Sequence, residues 1–440
     1  MNIPKIGRRK FLENTLLAGT ALGVAGWTGA RGEAREAGHS SPGRLRKVRD
    51  IDIVRDEKYY FGPGPSPVIF PDGEILVAFR RGPARHQSHG YPGMEAGVIS
   101  SRDGGKSWSD TRVIDFGGIA NVNLTLLSDG TVLHVTTIHG QAIMPGVYER
   151  LKDLPQNSLP TRGYRLVTEP KADRPATMVM GTRVRRSKDR GRTWSPGEWV
   201  SPAAGVEPLL PGHPAPLHQR SRIVQLRSGR LVLPVYAYPN PWRALLMASD
   251  DRGLTWYLAG EIAGPEDKLD VPQSVLVDGF IAYNECCVQE TPSGKLVAFV
   301  RIHTGSTEKT QADWATTSNP AGRLVTAVSE DGGRTWSQPR LHRLWGYPFS
   351  TLGMSSGRVL LTYGYRQEPF GVRARLLDPE CSMIDEAEEF LVRDDGATRD
   401  LGYPQGALMN DGKVFLAYYF NNRVEGGGQK YLAATILEEI

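Results

Sequence analysis

Cysteine is scarce: Cys286, Cys287 and Cys381 are the three thiols of 440 residues. Two are adjacent, and neighbouring cysteines do not reach the geometry of a bridge, so a disulfide framework is excluded and buried thiols are expected. Excess charge is missing as well, outside the N-terminus. The formal charge of +5 is carried by residues 1–50, which hold ten Lys/Arg against four Asp/Glu and leave the remainder at −1. A near-neutral body argues against general nucleic-acid binding. The apolar run after Arg9 is too short and too glycine-rich for a good membrane span. The nine histidines show no pair with a recognised ligand spacing on one element, so no metal and no other cofactor is expected.

What is present begins with GRRKFLENTLLAGTALGVAGWTGA, where Arg8 and Arg9 precede that run. The pattern resembles a twin-arginine export signal. It predicts a signal over residues 1–35, a linker over 36–48, a single domain over 49–440, and a periplasmic or secreted protein with no stable membrane span once the signal is removed. Glycine (50) and proline (31) are abundant and evenly spread, as a chain rich in turns requires.

Two repeats organise the domain. SRDGGKSW (Ser101 to Trp108), SKDRGRTW (Ser187 to Trp194), SDDRGLTW (Ser249 to Trp256) and SEDGGRTW (Ser329 to Trp336) share the pattern S-x-D-x-G-x-[ST]-W. Each suits a β-turn whose Ser and Asp side chains accept backbone N–H groups, whose Gly supplies positive φ, and whose Trp packs beneath the next strand. A quieter repeat joins a turn glycine to an apolar strand, with glycines at Gly73, Gly130, Gly229, Gly294, Gly357 and Gly412. Runs such as KLVAFVR and KVFLAYY read as strands. Six copies predict an all-β, six-bladed propeller. RDIDIVRDE (Arg49 to Glu57) is expected to pair with the last blade and close the ring. RLLDPECSMID reads as a decayed fifth copy of the turn motif, and a long insertion spans about residues 139 to 182.

Equivalent positions of the repeat locate the chemistry. Nine residues before each turn glycine stand Gly64, Asn121, Arg220, Glu285, Pro348 and Tyr403; seven or nine after it stand Arg80, Arg301 and Arg366, with Arg81 beside Arg80. Several arginines, a glutamate and a tyrosine facing one axis predict an anion-binding pocket, because the planar guanidinium grips a carboxylate bidentately.

The S-x-D-x-G-x-[ST]-W turns resemble the Asp-boxes of the sialidase (neuraminidase) superfamily. NECCVQETPSGKLVAFVR and GYPQGALMNDG are similar to that family's blade-four and last-blade motifs. The resemblance implies Asp-box aspartates with structural roles on the rim away from the active site, Tyr403 as nucleophile and Glu285 as its base. It also implies three arginines holding a substrate carboxylate: Arg301, then Arg80 or Arg81, and Arg366 or Arg373. A tyrosine is neutral until it reacts, which suits attack on a sugar that is itself an anion. Two departures stand out. YYFGPGPSPV lacks the family's first-blade arginine, and RRGPARHQSHGYPGMEAG lacks its aspartate acid. His86, His89 or Glu95 is available as proton donor, and His86 lies about where the aspartate would be. Asp400 is placed to orient the pocket or to cap a turn.

The expected activity is therefore that of an exported exo-α-sialidase-like hydrolase acting on a terminal acidic sugar of a glycan or glycoconjugate, sialic acid by family default and a uronic acid as nearest variant. A non-catalytic glycan-binding propeller and a uronate-directed polysaccharide lyase are the alternatives.

Overall fold

The structure, a computed structural model, describes residues 43–83, 93–138, 141–142, 177–178, 181–200, 217–237, 242–271, 281–303, 322–422 and 429–440. The N-terminal 42 residues, the loop carrying His86 and His89, and most of the long insertion lie outside them. All regular elements among the described residues are strands.

Among the described residues six antiparallel sheets of four or five strands follow one another along the chain, each a blade of a propeller, and a two-stranded pairing of Gln141–Ala142 with Thr177–Met178 lies within the insertion. Blades two, four and five are four-stranded and run in sequence order; blades one and three have an innermost strand broken into two pieces. Blade six is assembled from both ends of the domain. Its strands Gly402–Leu408, Val414–Phe420 and Tyr431–Glu439 are completed by Leu45–Val54, which pairs antiparallel with Tyr431–Glu439 from Leu45↔Glu439 to Val54↔Leu432. The closing strand thus starts at Leu45, ahead of the boundary expected at residue 49.

The core lies between neighbouring blades, because a sheet of mostly buried strands offers two apolar faces. Ile53, Val77, Phe79, Phe415 and Leu432 join blade six to blade one. Val232, Leu246, Val288, Leu296 and Val325 join blade three to blade four. Each such side chain contributes about 1.5–3 kcal/mol on burial. The three cysteines are unbridged and buried, Cys286 between blades three and four and Cys287 and Cys381 between blades four and five.

The Asp-boxes form the turns their sequence predicts. In the first, Asp103 accepts the Lys106 and Ser107 N–H groups, each at 2.9 Å, and Gly105 N–H donates to Ser101 Oγ at 2.8 Å. The third and fourth repeat this and bury their tryptophans, whose Nε1 donates to Gly253 O at 3.2 Å and Gly333 O at 3.0 Å. The fifth copy keeps the chemistry without the signature: Asp378 accepts the Ser382 N–H at 2.8 Å and the Met383 N–H at 2.9 Å.

The innermost strands carry the feature that makes a site. Their pairing slips between Ile119 and Asn121, Asn284 and Cys287, Tyr347 and Phe349, and Gly402 and Gln405. At equivalent places Gly64, Glu285 and Tyr403 adopt φ of 95°, 37° and 54°. Glycine takes such a φ freely; glutamate and tyrosine do so at a cost of order 1–3 kcal/mol. These bulges re-aim side chains along the axis.

Candidate active site

Tyr403 and Glu285, 118 residues apart, meet at the axis, where the Tyr403 hydroxyl donates to Glu285 Oε1 at 2.8 Å. Arg220, in the break of the innermost strand of blade three, donates from Nε to the same oxygen at 2.9 Å and from Nη2 to the Tyr403 oxygen at 3.1 Å. Arg301, on the second strand of blade four (Leu296–His303), binds Glu285 Oε2 through Nη1. Asn121 Oδ1 accepts from Arg220 Nη1 and fixes that guanidinium from blade two.

Burial works against the charge of Glu285, but the Arg301 and Arg220 guanidiniums outweigh it and hold the carboxyl far below its ordinary range. The guanidiniums also lie over the aromatic rings. Arg220 sits 4.4 Å and Arg366 5.4 Å from the Tyr403 ring centre, and Arg301 lies 4.2 Å from that of Tyr347.

A second cluster adjoins this one. Arg366, just past the second strand of blade five (Val359–Tyr365), donates from Nη2 to the Tyr419 oxygen at 2.9 Å and lies 3.8 Å from Asp400. Tyr419 donates to Asp400 Oδ1 at 2.6 Å. Lys430 binds the other Asp400 oxygen and donates to the Tyr60 oxygen at 3.0 Å. Burial, with Arg366 and Arg80 nearby, pulls the Lys430 ammonium down to about 7, while its contact with Asp400 acts in the opposite direction. Around the axis Arg220, Arg301, Arg366 and Lys430 thus face Glu285 and Asp400, a surplus of positive charge fitted to an anionic ligand.

The structure brings together Tyr403, Glu285, Arg220, Arg301, Arg366 and Asp400. Three other arginines singled out as clamp candidates are used differently. Arg80 is fully buried beneath the pocket, and its Nη1 donates to the Ala120 carbonyl at 3.0 Å, tying blade one to blade two. Arg81 turns to Glu95 at 2.9 Å and stacks 3.9 Å over Tyr59. Arg373 does not reach the axis: it lies on the third strand of blade five, donating to the Arg393 carbonyl at 2.6 Å and the Pro369 carbonyl at 3.2 Å. Glu95, an alternative proton donor, is taken by Arg81; His86 lies outside the described residues. Lys430, Tyr419 and Tyr347 escape the repeat comparison for different reasons: Lys430 stands at no repeat position, Tyr419 stands seven residues after Gly412 where Arg80 and Arg301 stand after their glycines but carries no charge, and Tyr347 is displaced by one residue through a bulge. Among the described residues no cluster of three His, Cys, Asp or Glu side chains is placed to hold a metal ion.

The fold and the axial cluster define a six-bladed propeller of the sialidase superfamily. Within it, the chain belongs to the family of BNR repeat-like domains, which matches residues 164–416. It resembles a crystal structure of a protein of unknown function from Dyadobacter fermentans, with 31% identity over 90% of this chain and 99% of that one and a TM-score of 0.71. The sialidase NanB of Streptococcus pneumoniae superposes with a TM-score of 0.53 at 12% identity, covering 91% of this chain and 71% of that one. The intramolecular trans-sialidase of Ruminococcus gnavus gives 0.51 at 14% identity, covering 88% and 97%. At such identities the likeness to the two sialidases is one of fold. No curated protein matches the chain.

Proposed function

We propose that this protein is an exo-glycosidase that removes a terminal acidic sugar from a glycan, with Tyr403 as nucleophile and Glu285 as its base. The observation that carries this reading is the 2.8 Å hydrogen bond from the Tyr403 hydroxyl to Glu285 inside a ring of guanidiniums. A carboxylate nucleophile would be repelled by an anionic sugar; a phenol is not, and the adjoining glutamate takes its proton as the bond to the anomeric carbon forms. The glycosidic bond breaks as the tyrosyl–sugar bond forms, and the leaving oxygen takes a proton from the general acid. Water then attacks the anomeric carbon from the face the leaving group vacated, opposite Tyr403, and releases the phenolate, which takes back its proton, so that two inversions give net retention.

Arg301 and Arg366 are assigned to the substrate carboxylate, with Arg220 replacing the first-blade arginine that YYFGPGPSPV lacks. Arg301 supports this: its Nε has no hydrogen-bond acceptor among the described residues. Sialic acid is the leading substrate and a uronic acid the second, since the first blade is the one that departs from the sialidase pattern. His86 is retained as the proposed proton donor. Arg8 and Arg9 ahead of an apolar run support export in the folded state.

The test is a screen of aryl glycosides of sialic acid, its deaminated relative, glucuronic acid and rhamnose against the wild type and Tyr403→Phe. Turnover of an acidic glycoside is expected, with a loss on the order of 10³-fold or more in the variant and an unchanged melting temperature. Full activity of Tyr403→Phe would falsify the nucleophile assignment. Absorbance from a new C=C bond in the product would identify a lyase, and saturable binding without product a lectin.

A further inference from the structure

At the opposite end of the axis the innermost strands diverge around a second cavity of about 520 Å³. A plug of buried amides separates it from Tyr403. Asn123 Nδ2 donates to Gln219 Oε1 at 2.7 Å, Gln405 Nε2 donates to Asn123 Oδ1, and Ser66 Oγ lies 3.4 Å from Gln405 Oε1. Strand periodicity sets this order. Past the bulges side chains two apart share a face, so Gln405 and Ala407, like Asn123 and Thr125, descend from plug to cavity.

The cavity lining mixes aliphatic side chains, among them Ile69, Val224 and Leu352, with polar ones such as Thr125, Gln225 and Gln289. Into this lining Arg222 brings a guanidinium with only neutral partners. Its Nε and Nη2 lie 3.3 and 3.2 Å from Gln405 Oε1, and Nη2 donates to the Gly406 carbonyl at 2.8 Å. Among the described residues it has no carboxylate partner, and its Nη1 has no acceptor. The adjoining Ser221 hydroxyl is buried, lines the same cavity, and also has no hydrogen-bond partner among the described residues. A half-buried guanidinium with no carboxylate partner among the described residues stands beside a buried hydroxyl with no partner there, and a bound anion would satisfy both.

We propose that this cavity binds a small organic carboxylate with an apolar body, its carboxylate on Arg222 and Ser221 and its body against the aliphatic side chains. One guanidinium offsets one negative charge, which favours a carboxylate over a doubly charged phosphate. The volume is that of a small-molecule pocket. The site uses none of the residues assigned to glycoside cleavage.

The experiment titrates the full chain with 4-fluorobenzoate, followed by fluorine NMR. Saturable binding is expected in the wild type and in Arg366→Ala, which weakens carboxylate capture at the other end of the axis. Binding is expected to fall about tenfold or more in Arg222→Leu. It should fall as far in Gly353→Phe, which obstructs the cavity while leaving Arg222 and its acceptors in place; a Cβ at Gly353 meets nothing nearer than Gln289 Nε2 at 3.8 Å. Absence of saturable binding, wild-type affinity in either cavity variant, loss of binding in Arg366→Ala, or tighter binding of inorganic phosphate than of fluorobenzoate would each overturn the proposal.

Discussion

The proposed role of Glu285 as base meets an obstacle in its own surroundings. Arg301 and Arg220 hold its carboxyl far below the usual range, and such a carboxylate accepts a proton poorly. In the proposed reaction a substrate carboxylate docking on the same guanidiniums would offset their field and raise the proton affinity of Glu285 where Tyr403 gives its proton up. Removing one cation should act in the same direction. Arg220→Met is predicted to move the acid limb of the kcat/KM profile to higher pH, read by initial rates across pH. The stability sign follows separately. The folded carboxyl lies below its ordinary 4.5, so the pairing stabilises fully above that pH and is lost as pH falls below it. Gly62 makes a second prediction at this scale. A Cβ there would stand 2.2 Å from Arg80 Nε, so Gly62→Ala should destabilise by about 1–3 kcal/mol, measured by denaturant unfolding.

The pairing of Tyr403 with Glu285 was legible because both stand nine residues before a turn glycine. Arg80, Arg81, Arg301, Arg366 and Arg373 look alike in the sequence and are not alike in space. Position along a strand does not decide whether a guanidinium meets the axis, a carbonyl or a neighbouring carboxylate. Lys430 belongs to the site and carries no motif at all.

Elements tell a clearer story, because turns encode themselves locally. The Asp-box needs only Ser, Asp, Gly and Trp at fixed offsets, and the hydrogen bonds of its Ser and Asp side chains lie within the turn. Arg190 and Arg252 take φ of 60° and 62° where two other copies have glycine, so the acceptors, rather than backbone freedom, hold the shape. Burial raises the Asp251 carboxyl, but donors from Thr255, Ser249 and Leu254 outweigh it and bring it to about 2. Its contribution is therefore complete above the ordinary value of 3.8 and lost as pH falls towards about 2. Asp251→Asn is predicted to lower the melting temperature at neutral pH by roughly 2–4 °C. The gap to the wild type should close in calorimetry as pH is lowered through that window. The bulges were less legible. A slip in register leaves no mark on composition, and only the recurrence of chemically unusual residues at one repeat position hinted that the strands were re-aimed there.

At the scale of the whole molecule, blade count and order were readable from turn glycines and ring closure from one short strand. The loop carrying His86 and the long insertion belong to no repeat, and repetition gives no purchase on them. Closure makes its own prediction. Leu45–Val54 pairs along its length with Tyr431–Glu439 and buries Ile51 and Ile53. A chain starting at residue 43 should melt as the full-length protein does, whereas one starting at residue 56 should lose cooperative unfolding and aggregate, as calorimetry and size-exclusion chromatography would show.

That seam also sets a clock. The strand Leu45–Val54 waits, unpaired, until Tyr431–Glu439 has been synthesised nearly four hundred residues later, a delay of roughly 20–80 s at ordinary rates of synthesis. Until the two pair, the ring stays open at that seam. Closing the seam, rather than the emergence of any one blade, completes the ring around the axial pair of Tyr403 and Glu285.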